Sequence, residues 1–323
     1  IALPNQRVIS FVTKTVGGNQ YWYMELVVGS TKRQYSLGRD TDVLGAQIEK
    51  QKRLFSQAAP DLKQREKLFA MLVSGGGFAP GGSVGRVLEV LAQAGTFLTG
   101  GVLVGSHAFN TYGNMLGVSW TSAAMQTKEL DLASLHQVEI AMRREAPDVK
   151  TVLLESGMGF FEVPALNPKS PSTSFKLRGQ EFKVDLLTPL EGPNTSKPVH
   201  LPHFKTFAHP MRFLEYLLDD SQDAVIPFRS GVLVNVPNPA RFALHKLVVS
   251  QRRPVAQQTK VNKDIQQAEE LLAVLLEDRP GDVWIALEAT QGMPDKFQQQ
   301  LAGGIRFLSA GVKQALHERT KLG

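Results

Sequence analysis

The sequence predicts an α+β protein: a mixed sheet with flanking helices, preceded by a small β unit and followed by a helical C-terminal domain. Three observations carry this expectation. Residues 7–38 are β-branched and aromatic and break at glycines, residues 84–190 switch between helical and strand periodicity, and beyond Gly192 the chain turns to Pro and His and then to long helical stretches. A chain of 323 residues exceeds what one core usually organises. The units expected are therefore 1–74, 84–190 and 191–323.

In the first unit, "RVISFVTK", "YWYMELVVG" and "GSTKRQYSLG" read as three short strands. The pattern then becomes helical, with cap candidates in Asp40-Thr41-Asp42 and with Val43, Ala46, Ile48 and Leu54 among the apolar positions; Pro60 opens a second helix running to Val73. "SGGGFAPGGSVGR", residues 74–86, has the glycines of a phosphate loop, but it follows a helix and lacks Gly-x-x-x-x-Gly-Lys-Ser/Thr. It reads as a flexible linker ending in Ser83 as a helix N-cap.

The second unit begins with a helix, "VGRVLEVLAQAG", closed by Gly95. "GGVLVG" follows as a strand, "SHAFNTYGNML" as a helix, "TKELDLA" as a strand and "LASLHQVEIAMRRE" as a helix. "TVLLESGMGFFEV" and "TSFKLRGQEFKVDLLTPL" alternate like strands, with a turn at Arg178-Gly179. The third unit reads as helices over "HPMRFLEYLLDD", "NPARFALHKLVVSQRR", "NKDIQQAEELLAVLLED" and "PDKFQQQLAGGIRFLSAGVKQALHERTK". Asn238-Pro239 is its clearest start signal, a capping side chain followed by proline at the first helical position.

Composition narrows the function classes. There is no cysteine, which removes disulfides, thiolate zinc sites and a cysteine nucleophile, and suits a reducing compartment such as the cytoplasm. No apolar run approaches the ~20 residues of a membrane span. A net charge of +6 favours an anionic partner, nucleic acid included. There is no Gly-x-Ser-x-Gly around a candidate serine and no dinucleotide fingerprint after a strand.

The chemistry concentrates in acids. In a strand, Glu129 and Asp131 point to one face while Leu130 and Leu132 point to the other, so two carboxylates stand side by side. Such a pair is unfavourable without a cation, and oxygen donors suit Mg²⁺ or Mn²⁺. Asp185, an acid in an apolar strand end, supplies a third carboxylate, and three on neighbouring strands can hold two metal ions. Gly105-Ser106, between a strand and a helix, offers free N–H groups, a hydroxyl and the positive end of the helix dipole to phosphate. Singly, each has a plainer reading as a helix cap or a solvated acid.

Together, strand, Gly-Ser, helix, paired acids and a later third acid resemble the signature of the nucleotidyltransferase (DNA polymerase β-like) superfamily. "GSHAFNTYGNMLGV", "QTKELDLA" and "FKVDLLTP" resemble more particularly an uncharacterised bacterial family with that fold, over roughly residues 84–190. Two departures stand out: Glu129 takes the place of the usual Asp, and "GVSWTSAAMQ" lengthens the stretch before it, as a loop bordering the acceptor pocket.

The resemblance implies transfer of NMP from an NTP, such as ATP, to an acceptor hydroxyl, with release of pyrophosphate. It implies Glu129, Asp131 and Asp185 as metal ligands, with Asp185 also helping to position or deprotonate the acceptor, and Gly105 and Ser106 on the phosphates. A basic residue of the following helical domain would meet the triphosphate, with Lys246 the first candidate and Arg241 the second; solvated bases on an ordinary amphipathic helix explain them equally well. Expected acceptors are RNA, such as a tRNA end, a protein side chain or a small molecule, and analogy adds a toxin or phage-defence role. The alternative is a catalytically weak or inactive relative acting as a nucleic-acid-binding or regulatory module.

His107 is expected either on phosphate or packed beneath the loop. His200, His203 and His209 are expected as loop histidines, and Phe109 and Tyr112 as core. Trp120 is expected as a covering aromatic or as a platform for a base.

Overall fold

The computed structural model describes residues 9–28, 31–120, 127–136, 148–165 and 167–320. Strands β1 (Ile9–Val16), β2 (Asn19–Val28) and β3 (Thr31–Arg39) form an antiparallel three-stranded sheet, as the β-branched pattern predicts. Thr41 caps the next helix by accepting the amide of Leu44. That helix, α1 (Asp42–Ser74), is continuous where two were expected. Pro60 removes one interior N–H and so one hydrogen bond, yet the helix runs on through it.

The glycine-rich segment after α1 is pinned, not a free linker. Phe78 donates its amide to Asn114 Oδ1 and accepts from Asn114 Nδ2 at its carbonyl, both at 2.8 Å. Ser83 is not the cap expected of it: α2 (Gly82–Gln93) starts from Gly81, and the Ser83 hydroxyl donates to Gln180. Gly95, at φ +86°, takes the left-handed turn just beyond α2.

Strand β4 (Val102–Val104) leads into α3 (Gly105–Leu116), and β5 (Glu129–Ala133) into a stretch outside the described residues, 137–147, where most of the helix expected over 132–145 falls. Residues 121–126 of the expected inserted loop also lie outside them. The first part of the strand expected over 151–163 is instead a short helix, α4 (Val149–Leu154), capped by Asp148; only β6 (Phe160–Glu162) is extended. β7 (Ser174–Leu177) and β8 (Lys183–Pro189) form the hairpin expected around Arg178-Gly179.

Beyond Pro189 the structure departs from the helical expectation. β9 (Val199–Leu201) and β10 (Thr206–Met211) join the same sheet, so the sheet crosses the boundary expected at residue 190. The helix expected over 209–220 is the end of β10 followed by the short α5 (Leu214–Leu218). β11 (Ser221–Ile226) and β12 (Val232–Pro237) form a separate hairpin. The helical run begins at α6 (Pro239–Ser250), where Asn238 caps the amides of Ala240 and Arg241. It continues with α7 (Gln258–Asp278), α8 (Pro280–Thr290), α9 (Asp295–Ile305) and α10 (Ala310–Thr320), the last two replacing one long expected helix.

The central sheet runs β4-β5-β8-β10-β9, with β6 and β7 attached beside β8. β5 pairs in parallel along one edge of β8; the other edge is shared by β7 near its start and β10 near its end. Leu130, Leu132, Val184 and Leu186 send their side chains into the core on one face. α6 is buried on most sides and packs against α7, α8 and α9. Tyr112 ties α3 to this region by donating its hydroxyl to the carbonyl of Pro237 at 2.9 Å.

The α6–α9 contact depends on Gly304, where a Cβ would stand 2.6 Å from the Leu247 carbonyl oxygen. Gly304→Ala should destabilise the fold by about 1–3 kcal/mol through this overlap. Urea denaturation checks it, and an unchanged midpoint contradicts the close packing.

Candidate functional site

Strand pairing assembles the acids. In the parallel β5–β8 register, Asp131 lies opposite Asp185 and Glu129 opposite Lys183. Opposed residues of neighbouring strands share a face, so burying the leucines and valines on one side gathers all four polar side chains on the other. One carboxylate oxygen from each of Glu129, Asp131 and Asp185 lies within 4.8 Å of the others.

A lysine is built into this cluster. Lys183 Nζ is 2.7 Å from Asp185 Oδ2 and 3.3 Å from Glu129 Oε1. Lys260, from α7, approaches both oxygens of Glu129 at 3.4 Å. The other Asp185 oxygen accepts from the Ser174 hydroxyl at 2.6 Å.

Asp131 carries the strain of the arrangement. Burial, then the neighbouring charges of Asp185 and Glu129, raise its pKa from the ordinary carboxylate range to about 7. Glu129 moves the other way: burial pushes it up, but Lys183 and Lys260 outweigh this and hold it low. Lys183 loses some proton affinity to burial and gains more from Asp185 and Glu129, so its net shift is upward.

Gly105 explains how the start of α3 meets the acids. Its φ of +68° is left-handed, and a Cβ there would stand 2.2 Å from Asp131 Oδ2. Only glycine lets the start of α3 come this close to the carboxylate. The Ser106 hydroxyl is not a helix cap; it receives the Gln267 side-chain amide at 3.3 Å.

The cleft has a volume of about 810 Å³, with Phe78 on one wall and Gly105, Ser106, Glu129 and Asp131 along its floor. Asp185, held by Ser174 and Lys183, is outside its lining. His107 lines it with neither ring nitrogen hydrogen-bonded; burial first and then Lys263 lower its pKa to about 4, so it is neutral near pH 7.

The structure brings Lys246 to the cleft and leaves Arg241 away from it. Lys246 Nζ is 2.7 Å from Asp264 Oδ1, while Arg253 Nε is 2.5 Å from Oδ2 of the same carboxylate. Burial opposes the charge on Asp264, and these two cations keep its pKa low nonetheless. Arg241 is outside the cleft lining: it is paired with Asp219 at 3.0 Å, donates to the Tyr216 carbonyl and lies over the Tyr216 ring.

Trp120 covers the core: it stacks on Phe109 at 4.7 Å and donates Nε1 to the Phe109 carbonyl. Phe109 and Tyr112 are in the core as expected. Of the expected loop histidines, His200 and His209 are in strands, and buried His203 shares a hydrogen bond with Ser134.

Sequence reading missed Lys260, Lys263, Asp264 and Gln267, all at the cleft or on its Ser106. Their spacing of i, i+3, i+4 and i+7 is one polar face of α7, and that signal was present.

The donor set fits a divalent cation of the oxygen-loving kind: three carboxylates converge, and the middle one is driven toward protonation by burial first and then by its two acidic neighbours, which Lys246 and Lys183 only partly offset. Among the described residues no helix is long and apolar enough to cross a membrane. A family model described as a nucleotidyltransferase matches residues 82–290, about two thirds of the chain. No curated protein matches, and no solved structure does.

Two expected outcomes follow from the electrostatics. A carboxyl whose pKa is raised on folding binds its proton more tightly folded than unfolded, so it costs stability as pH climbs from about 4 to about 7. Asp131→Asn should therefore gain melting temperature relative to the unsubstituted protein at pH 7.5 in EDTA, and the gain should shrink toward pH 4.5; a pH-independent difference refutes the shifted carboxyl. Lys183→Gln removes a cation that competes for Asp185 and Glu129, so Mn²⁺ affinity measured by calorimetry should rise on the order of tenfold. Weaker binding would show instead that Lys183 is needed to shape the site.

Proposed function

This chain belongs to the nucleotidyltransferase family, and from that premise we propose that it transfers an NMP from an NTP to an acceptor hydroxyl with release of pyrophosphate. The observation that carries the reading is the register that sets Asp131 opposite Asp185, with Glu129 beside them and the start of α3 directly against Asp131. Glu129, Asp131 and Asp185 would hold divalent metal, Mg²⁺ or Mn²⁺, which supplies Lewis-acid stabilisation of the phosphoryl oxygens. Three acids face the two lysines Lys183 and Lys260. We therefore assign one ion to the protein carboxylates alone and give a second only in company with the nucleotide's phosphates.

The remaining work falls to the chain. The α3 N-terminus at Gly105-Ser106 receives the β,γ-phosphates through its free amides. Lys246, Lys263 and Arg253 line the same cleft and add positive charge for the triphosphate. The acceptor oxygen forms a bond to the α-phosphorus as the bond to the bridging α–β oxygen breaks; pyrophosphate leaves with that electron pair, and the acceptor proton passes through a cleft carboxylate to water. Both Asp185 oxygens already take hydrogen bonds, so the better-placed proton acceptor is Asp131. In this reading the catalytic unit extends through residue 237, where the sheet and hairpins end, and α6–α10 form the helical unit, of which α6 and α7 line the cleft.

The test uses α-labelled NTPs with Mg²⁺ or Mn²⁺, offered to total RNA, to lysate protein and to the chain itself. Label should appear with the unsubstituted protein and fall by at least 10²-fold with Asp131→Asn. NTP binding without any transfer, in every arm, would favour the alternative of a regulatory or nucleic-acid-binding module.

A further inference from the structure

A second pocket opens beside the cleft. It has a volume of about 470 Å³ and shares Arg253 with the cleft, so the two are neighbours along one surface. Its lining includes Arg212, at the end of β10, and Arg252, just after α6, together with Thr195 and Ser196. Among the described residues neither Arg212 nor Arg252 makes an ion pair: Arg212 donates to Asn194 Oδ1 at 2.8 Å and meets Glu215 only at longer range, and Arg252 lies over the Phe213 ring.

Among the described residues no carboxylate lines the pocket these two guanidinium groups share, and an anion seated between them would relieve their mutual repulsion. The same strain appears in Arg252, whose pKa falls through burial and then through the charge of Arg212. Gln257, the last residue of the 3-10 turn that leads into α7, also lines this pocket. Guanidinium forks and hydroxyls together suit a phosphate group.

We propose that this pocket binds a backbone phosphate of a nucleic-acid acceptor whose terminal hydroxyl reaches the carboxylate cleft. The inference rests on the nucleotidyl-transfer reading and names its acceptor class. A ligand that spans both pockets past Arg253 needs negative charge along its length and a hydroxyl at its end. A nucleic-acid strand has both. Its contacts here are to phosphate, so they hold the strand without reading its sequence.

The experiment measures anisotropy of a fluorescent 12-nucleotide single strand, as RNA and as DNA, across a salt series with EDTA. Arg212→Gln with Arg252→Gln should weaken binding at least tenfold and flatten the log–log salt slope by roughly one to two. The pair of Arg→Lys substitutions should keep most of the affinity, which separates lost charge from lost fold. Mn²⁺-dependent NTP binding should be unchanged in all variants.

Strand binding that the Gln pair leaves intact overturns the proposal while leaving nucleotidyl transfer standing. So does inorganic phosphate displacing the strand at equal concentration, which marks a site for the free ion, or an acidic peptide binding more tightly than the strand. Failure of Mn²⁺-dependent NTP binding in the unsubstituted protein strikes the parent reading instead.

Discussion

The parallel register of β5 on β8 is the constraint on which the rest of the site depends. Leu130 and Leu132 on one strand and Val184 and Leu186 on the other must enter the core together. With a side-chain period of two, that requirement leaves Glu129, Asp131, Lys183 and Asp185 no choice but to share the opposite face. A slip of one residue would bury the acids and expose the leucines. The hydrophobic core therefore fixes a cluster of like charges that would not assemble by itself.

The surroundings of that cluster are arranged to tolerate it. Lys183 and Lys260 draw Glu129 into a conventional ion-paired state, and Ser174 with Lys183 occupies Asp185. Asp131, buried beside both acids and only partly offset by Lys246 and Lys183, keeps a raised pKa against the start of α3, where glycine is the only residue that fits. Around it α6 and α7 contribute a basic wall whose geometry is set by buried Asp264, which binds Lys246 and Arg253 at once. Removing Asp264 would leave two cations without their shared partner, so this acid belongs to the architecture of the wall.

Much of this was legible in the sequence where the signal is local. Thr41 and Asn238 cap helices as their side chains predict, Gly95 takes a left-handed turn, and the Glu-Leu-Asp-Leu alternation is a strand with its acids on one face. The parts that escaped depend on distant partners. β10 was hidden because Pro210 argues against a strand; its first half pairs with β9 and its second with β8, and Pro210 lies beyond the β9 pairing. Arg241, the second candidate after Lys246, is held away from the cleft by Asp219, Asp220 and Tyr216, partners that the sequence of α6 alone does not show. The polar face of α7 was readable but pointed nowhere until α7 packed against α6.

The proposed chemistry requires that the three carboxylates form one divalent-cation site. Titration of Mn²⁺ followed by electron paramagnetic resonance, without nucleotide, measures this directly in the unsubstituted protein, Asp131→Asn and Gly105→Ala. Saturable binding is expected in the unsubstituted protein, abolished by Asp131→Asn while circular dichroism stays native, and weakened by Gly105→Ala through displacement of the Asp131 carboxylate. Absence of saturable binding in the unsubstituted protein, or binding indifferent to Asp131, would contradict it.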